Sequence, residues 1–248
     1  MTAALVAEGL SVRLGGAFAL RDASFSVGPG EVLGVFGPSG AGKSTLFRAL
    51  AGEERLVAGR VLLHGADVTA RPLWERARRG LGYVPQTPSV LLDLTVVENL
   101  GVFRGLAPAR AQAAPAGELL SALGLAERAD VRAGALSGGE RRRLELARAL
   151  GAAPSVLLCD EPFAAIDPHG AERAAALLRA LADGGAAVVL ADHHVAQALG
   201  LCDRAALLVG GEVVLVAPPD EFCRDPRVAK HYAVVAPPPP RPPRPAEP

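Results

Sequence analysis

Apolar residues along this chain fall into three textures. The first is the short unbroken run bounded by glycine, proline or acidic residues: Val32–Phe36, Leu81–Val84, Val156–Cys159 and Ala186–Ala191. Runs of that length with no polar interruption predict strands buried on both faces. The second texture is looser alternation. Residues 4–27 predict two short strands turning at Gly15-Gly16, Gly59–Leu63 predicts another closed by His64-Gly65, and Arg204–Val216 a hairpin turning at Gly210-Gly211. The third is helical spacing. Thr45–Ala51 predicts a helix, residues 72–79 a short amphipathic one with Pro72 in its first turn, and Pro168–Leu181 and Pro218–Tyr232 two more. Between Thr95 and Leu150 strand signals vanish: Val96, Val97, Leu100 and Phe103 share a helical face, followed by Leu119, Leu120, Leu123 and Leu125, with Pro108 and Pro115 as punctuation. Alternating strands and helices predict an α/β core with an antiparallel region at its N-terminus and a helical lobe, about residues 92–150, inserted into it.

Composition sharpens that picture. With 248 residues, half of them hydrophobic, the chain can fill the core of one sizeable domain, expected over residues 1–235. From Ala236 to Pro248 the sequence is proline-rich, which predicts an extended, disordered tail. The formal net charge is zero, which argues against a nucleic-acid partner. Cys159, Cys202 and Cys223 are odd in number and scattered, so no disulfide framework is expected and a reducing compartment fits. The first residues carry no basic region, and no run approaches the roughly 18 to 20 apolar residues of a membrane span. A cytoplasmic protein that meets a membrane only through a partner is the expectation.

The chemistry concentrates at strand ends. Gly37-Pro38-Ser39-Gly40-Ala41-Gly42-Lys43-Ser44 fits G-x-x-x-x-G-K-[ST] and lies between a predicted strand and a predicted helix. Its glycines let several backbone N–H groups point into one concavity, and the helix N-terminus adds its positive end. Lys43 is placed to reach β- and γ-phosphates, and the Ser44 hydroxyl to ligate Mg²⁺. Gln86 follows the strand ending at Val84, the pair Asp160-Glu161 follows Cys159, and His193 follows Ala191. Two adjacent carboxylates at the end of an apolar strand are costly unless cations or polar ligands meet them. The first suits a metal ion, the second a general base for water. Leu136-Ser137-Gly138-Gly139-Glu140 opens a helix running to about Leu150, with Ser137 as N-cap, and makes a second potential anion site. Arg141-Arg142-Arg143 on that helix is read as a solvated face, and His64 as a turn histidine.

Phosphate loop, Gln86, Leu136–Glu140, Asp160-Glu161 and His193 stand in the order and spacing of the ABC ATPase nucleotide-binding domain, which this chain resembles to about residue 235. The resemblance implies a P-loop NTPase (RecA-like) core with ATP and Mg²⁺ as cofactors. Gly37 to Ser44 with Thr45, together with Asp160, would hold the nucleotide, and Ser44, Gln86 and Asp160 the metal. Gln86, Glu161 and His193 would be catalytic, and Ala164–Asp167 resembles the D-loop. Two copies would pair head to tail, Ser137, Gly138 and Gly139 of one facing Lys43 of the other. Integral membrane permeases would dock through a groove near Gln86 to Leu100, at the cytoplasmic face of the inner membrane.

Within the family, Arg76–Gln86, Leu136–Leu150, Phe163–Pro168, Asp192–Val195 and Asp225–Tyr232 are similar to the ATPases of lipopolysaccharide export. Arg13–Gly16 leans toward those of branched-chain amino acid importers, and a non-transport ABC ATPase is the alternative of another class. Two departures stand out. Leu92-Asp93 replaces the basic residues usual in the export ATPases. Leu14 falls where the family usually has an adenine-stacking aromatic, with Phe18 nearby, which predicts looser base selectivity.

Overall fold

The computed structural model describes residues 2–106 and 114–232. Pro108 and the proline-rich segment expected to be mobile lie outside them. The chain opens with β1 (Leu5–Leu14) and β2 (Ala17–Val27), paired antiparallel across Gly15-Gly16. They run longer than the two short strands expected. Register irregularities between Ala7 and Arg13 absorb the residues that break alternation, so pairing continues past them. Then come β3 (Val32–Phe36), α1 (Lys43–Ala51), β4 (Ala58–Leu63), β5 (Ala66–Asp67), α2 (Leu73–Arg78) and β6 (Leu81–Val84). The helical lobe carries α3 (Val96–Leu106), α4 (Ala116–Ala122) and α5 (Gly138–Gly151). The chain returns to β7 (Val156–Asp160), α6 (Pro168–Asp183), β8 (Ala187–Ala191), α7 (Val195–Leu201), β9 (Arg204–Val209) and β10 (Glu212–Ala217), and closes with α8 (Pro219–Arg224) and α9 (Pro226–Ala229).

Two sheets result. The smaller, ordered β2-β1-β4-β5, is antiparallel. The larger, ordered β10-β9-β3-β8-β7-β6, is parallel except for β10 at its edge. The unbroken apolar runs are its inner strands: β3, β7 and β8 are buried at every position. Their residues alternate between two cores. Val32, Leu157, Val188 and Leu190 join one, with the helical lobe and α6. Leu33, Val35, Leu158 and Val189 join the other, where α1 and the small sheet pack. A parallel sheet covered on both faces needs this two-sided apolar character, and α1 is thereby wedged between the sheets.

Two sequence readings are corrected. The single helix expected over Pro218–Tyr232 is broken, because Pro226 disfavours helix at Asp225 and Asp225 instead caps α9 through the Arg227 N–H. The arginine run is not a solvated face. Arg142 is only 2 % exposed. Its guanidinium donates to the carbonyls of Pro85 at 2.5 Å and Glu161 at 2.8 Å, and to that of Asp160, and pairs with Glu145 at 2.8 Å.

Candidate active site

The phosphate loop leaves β3 at a point where only glycine fits: a Cβ on Gly37 would stand 2.2 Å from the Leu208 carbonyl oxygen. Gly42 caps α1 with φ 106 and no side-chain cap, and no acidic residue lies in the first turn. The helix N-terminus therefore offers its N–H groups to an anion. Lys43 Nζ donates to the carbonyls of Gly37 at 2.7 Å and Pro38 at 3.1 Å, so its ammonium arches over the loop. Burial lowers its pKa, opposed by the charges of Glu161 and Asp160.

Three strand ends meet this loop. Asp160, the last residue of β7, is 1 % exposed. Burial is the main cause that raises its pKa; the Ser44 hydroxyl bond opposes it and the Glu161 charge adds to it. Its Oδ1 has no hydrogen-bond partner among the described residues. A buried carboxylate oxygen left without a donor is stabilised by a cation. Ser44 Oγ lies 3.5 Å from Gln86 Oε1, so hydroxyl, amide oxygen and carboxylate converge. That donor set is all oxygen and suits Mg²⁺, which typically takes one or two carboxylates and completes its shell with phosphates and water.

Glu161 sits at the centre of the polar network. Gln86 Nε2 donates to its Oε1 at 2.7 Å, and His193 Nε2 lies 2.7 Å from the same oxygen. His193 follows β8 and is 61 % exposed. Glu161 holds φ at 58, unusual for a residue with a side chain, while its N–H donates to Ala191 at 2.7 Å. Backbone strain of that kind persists only where surroundings over-determine it. Here the Arg142 guanidinium and the Ala164 N–H both bind the Glu161 carbonyl. Next to the histidine, Asp192 accepts from the Phe163 N–H at 3.0 Å, joining the two strand-end loops.

The Leu136–Glu140 segment is capped within itself. Ser137 Oγ accepts from the Glu140 N–H at 3.2 Å, and Glu140 Oε2 accepts from the Ser137 N–H at 2.8 Å, a reciprocal cap on α5. Gly139 lies against the loop before α6, where a Cβ would come within 2.6 Å of the Ala165 carbonyl oxygen. Gln86, Glu161, His193, Asp160 and Ser44 of the loop form one network, while Ser137 bonds within its own cap to Glu140.

One set of residues was missed by sequence reasoning. Arg142, Glu145 and Arg148 of α5 bind the segment after β6: Glu145 Oε1 accepts from Ser89 N at 2.6 Å, and Arg148 donates to the Ser89 carbonyl at 2.8 Å. Their signal was three charged residues spaced three apart, which places Arg142, Glu145 and Arg148 along one face of α5. A cleft of about 480 Å³ opens beside them, lined by Leu73, Trp74, Tyr83, Phe103 and Arg148 among others. It borders the expected docking groove near Gln86 to Leu100, where Leu91, Leu92 and Val97 are exposed. At the other edge of the loop, Leu14 is exposed and the Phe18 ring is occupied by Arg13, whose guanidinium carbon stands 4.1 Å from its centroid.

A Gly-rich loop feeding a helix at the C-terminal ends of parallel strands, with an acidic strand end beside it, defines a P-loop nucleoside-triphosphatase. Residues 20–164 match the ABC transporter family model, and the chain belongs to the ABC transporter ATP-binding proteins. It is an ATP-binding protein and an ATPase. Among its relatives is the lipopolysaccharide export system ATP-binding protein LptB of Acidithiobacillus ferridurans, 44 % identical over 86 % of this chain and 89 % of the relative. LptB of Escherichia coli strain K12 is 36 % identical over 93 % of this chain and 97 % of the relative. An ATP-binding cassette of an ABC transporter solved in its ADP conformation superposes with a TM-score of 0.79 at 27 % identity, over 94 % of this chain and 99 % of that one. A dimeric cassette in a post-hydrolysis state with ADP and phosphate gives 0.75 at 26 %, over 86 % and 98 %. Among the described residues no helix is long and apolar enough to cross a membrane.

Proposed function

We propose that this chain powers lipopolysaccharide-type export as the ATPase of a membrane transporter. The observation that carries the reading is its similarity, over most of both lengths, to relatives named for lipopolysaccharide export. On this reading two copies pair on ATP, and each nucleotide lies between the loop Gly37–Thr45 of one copy and Ser137, Gly138 and Gly139 of the other. The reciprocal cap of Ser137 with Glu140, which leaves the start of α5 as a second anion-binding helix N-terminus, supports it.

The roles follow from the geometry. Backbone N–H groups of the loop and α1 bind the phosphates. Lys43 exchanges the Gly37 and Pro38 carbonyls for β- and γ-phosphate oxygens, which add counter-charge to a half-buried ammonium. Ser44, Gln86 and Asp160 would hold Mg²⁺, which would supply charge neutralisation at the phosphates. Glu161 accepts the proton of the attacking water as its oxygen bonds to the γ-phosphorus and the bond to ADP breaks. His193 and Gln86 hold the Glu161 carboxylate from two sides and are placed to orient water and γ-phosphate.

On this reading permease subunits dock at the cleft beside Phe103 and Trp74 and at exposed Leu91, Leu92 and Val97, and the protein works peripherally at the cytoplasmic face of the inner membrane. No nucleic-acid partner is expected at zero net charge.

The test is capture of tagged Glu161→Gln with ATP from detergent-solubilised host membranes, the companions identified by mass spectrometry. Two related permeases with large periplasmic domains support the proposal. Branched-chain amino acid permeases move the assignment to import, and ribosomes or DNA-bound proteins without an integral membrane partner end the transporter reading.

A further inference from the structure

The main-chain N–H of Gly37 opens the phosphate loop just where β3 runs out of neighbours. Strand pairing serves β3 through Phe36, which pairs with Leu207. The N–H of Gly37 donates instead to the Tyr232 hydroxyl at 2.6 Å. Tyr232 stands 195 residues further along, one turn beyond α9, anchored by its own N–H to the Val228 carbonyl at 3.0 Å. The same terminal segment grips the preceding residue, because the rings of Phe36 and Phe222 meet at 5.5 Å between centroids. Gly37 is thus held at three points. Its Cα faces the Leu208 carbonyl, its N–H meets Tyr232, and its carbonyl accepts Lys43 Nζ.

From this geometry we infer that Tyr232 is a positioning residue for the nucleotide site: its hydroxyl fixes the base of the phosphate loop, and so sets the affinity for ATP. The inference rests on the reading of Gly37–Thr45 as that site. A buried N–H without an acceptor is costly, and the sheet offers Gly37 none. With the hydroxyl gone, the N–H is satisfied only if the loop base moves toward water. The loop then reaches the phosphates less preordered, and binding bears the ordering cost. Lys43 is affected too, since its resting acceptor is the carbonyl of the same residue. Both ATP and ADP should feel the change alike, because both lay phosphates in the loop. The Glu161 cluster lies on other strand ends, so the change should fall on KM rather than on kcat, the mark of binding lost equally from ground and transition states.

The experiment compares wild type, Tyr232→Phe and Lys43→Ala by equilibrium binding of fluorescent ATP and ADP analogues, by steady-state ATPase kinetics and by thermal unfolding without nucleotide. Tyr232→Phe keeps the ring and removes one oxygen. Both Kd values and KM are expected to rise about 10-fold, the factor that corresponds to about 1.4 kcal/mol. Unchanged Kd and KM overturn the inference, and so does a lowered Tm at unchanged affinity, which reduces the hydroxyl to a structural bond. Wild type that fails to bind, or Lys43→Ala that binds like wild type, overturns the site reading and this inference with it. Lost binding in Lys43→Ala beside unchanged binding in Tyr232→Phe overturns the inference alone.

Discussion

Glu161 and Asp160 are neighbours in sequence with opposite situations. Glu161 shares its Oε1 between Gln86 and His193, whereas Asp160 is buried with one oxygen unpartnered among the described residues. Glu161→Gln keeps the hydrogen-bonding shape but cannot take a proton. Phosphate release should fall about 10²- to 10⁴-fold while ATP binding persists, as single-turnover assays and nucleotide titration would reveal. Asp160 makes the opposite prediction. Its pKa is raised, chiefly by burial, so the folded chain holds its proton more tightly than the unfolded chain does. That contribution is whole below the ordinary carboxylate range and is lost as pH rises through the raised value, so burial of the charged form weighs against folding more as pH rises. Asp160→Asn should therefore raise the nucleotide-free Tm by roughly 2–4 °C, about 1 kcal/mol in a domain of this size, with the gain shrinking as pH falls. The same variant should lose the Mg²⁺-dependent stabilisation that ATP gives the wild type, about 2.7 kcal/mol at 100 times Kd. Calorimetry at two pH values with and without MgATP checks both halves. These carboxylates were legible in sequence because an acidic pair at the end of an apolar strand is already an anomaly. Arg142 was not. Its burial depends on carbonyls of Pro85, Asp160 and Glu161, which only the folded chain assembles.

At the scale of elements, α5 links the sites. Its first turn carries Ser137 and the reciprocal cap with Glu140, and its second holds Arg142 and Glu145. Ser137→Ala should cost about 1 kcal/mol of stability through the lost cap, a modest fall in Tm. Arg142→Met should cost about 3 kcal/mol, because Glu145 is left buried with its charge uncompensated. Pairing it with Glu145→Met should recover much of that loss, and a double-mutant cycle in urea measures the difference. The inner strands β3, β7 and β8 were readable to within a residue, since being buried on both faces leaves an unbroken apolar run. The short strand β5 escaped notice, because two exposed residues have no pattern to show. The lengths of β1 and β2 were underestimated for a related reason: irregular pairing around Gly9 scrambles the alternation that a strand otherwise displays.

At the scale of the molecule, the proposed ATP site draws one half from each of two copies, so one copy alone should hydrolyse poorly. Glu161→Gln should run as a monomer without nucleotide and as a dimer with MgATP, and EDTA should return it to monomer; light scattering after gel filtration decides. In the wild type, specific activity should climb with enzyme concentration until pairing saturates. A pairing that strengthens with ATP in Glu161→Gln but not in Glu161→Gln combined with Ser137→Arg would place the segment at the interface. Arg142 bears on a different matter, the building of chimaeras from relatives. One side chain of the helical lobe is bonded to the main chain at Pro85, Asp160 and Glu161, at the ends of two different strands of the core. A lobe transplanted with its own boundaries would arrive with a guanidinium shaped for another host's loops. The exchangeable cassette is therefore discontinuous: lobe, Pro85-Gln86 turn and Asp160-Glu161 turn must travel together.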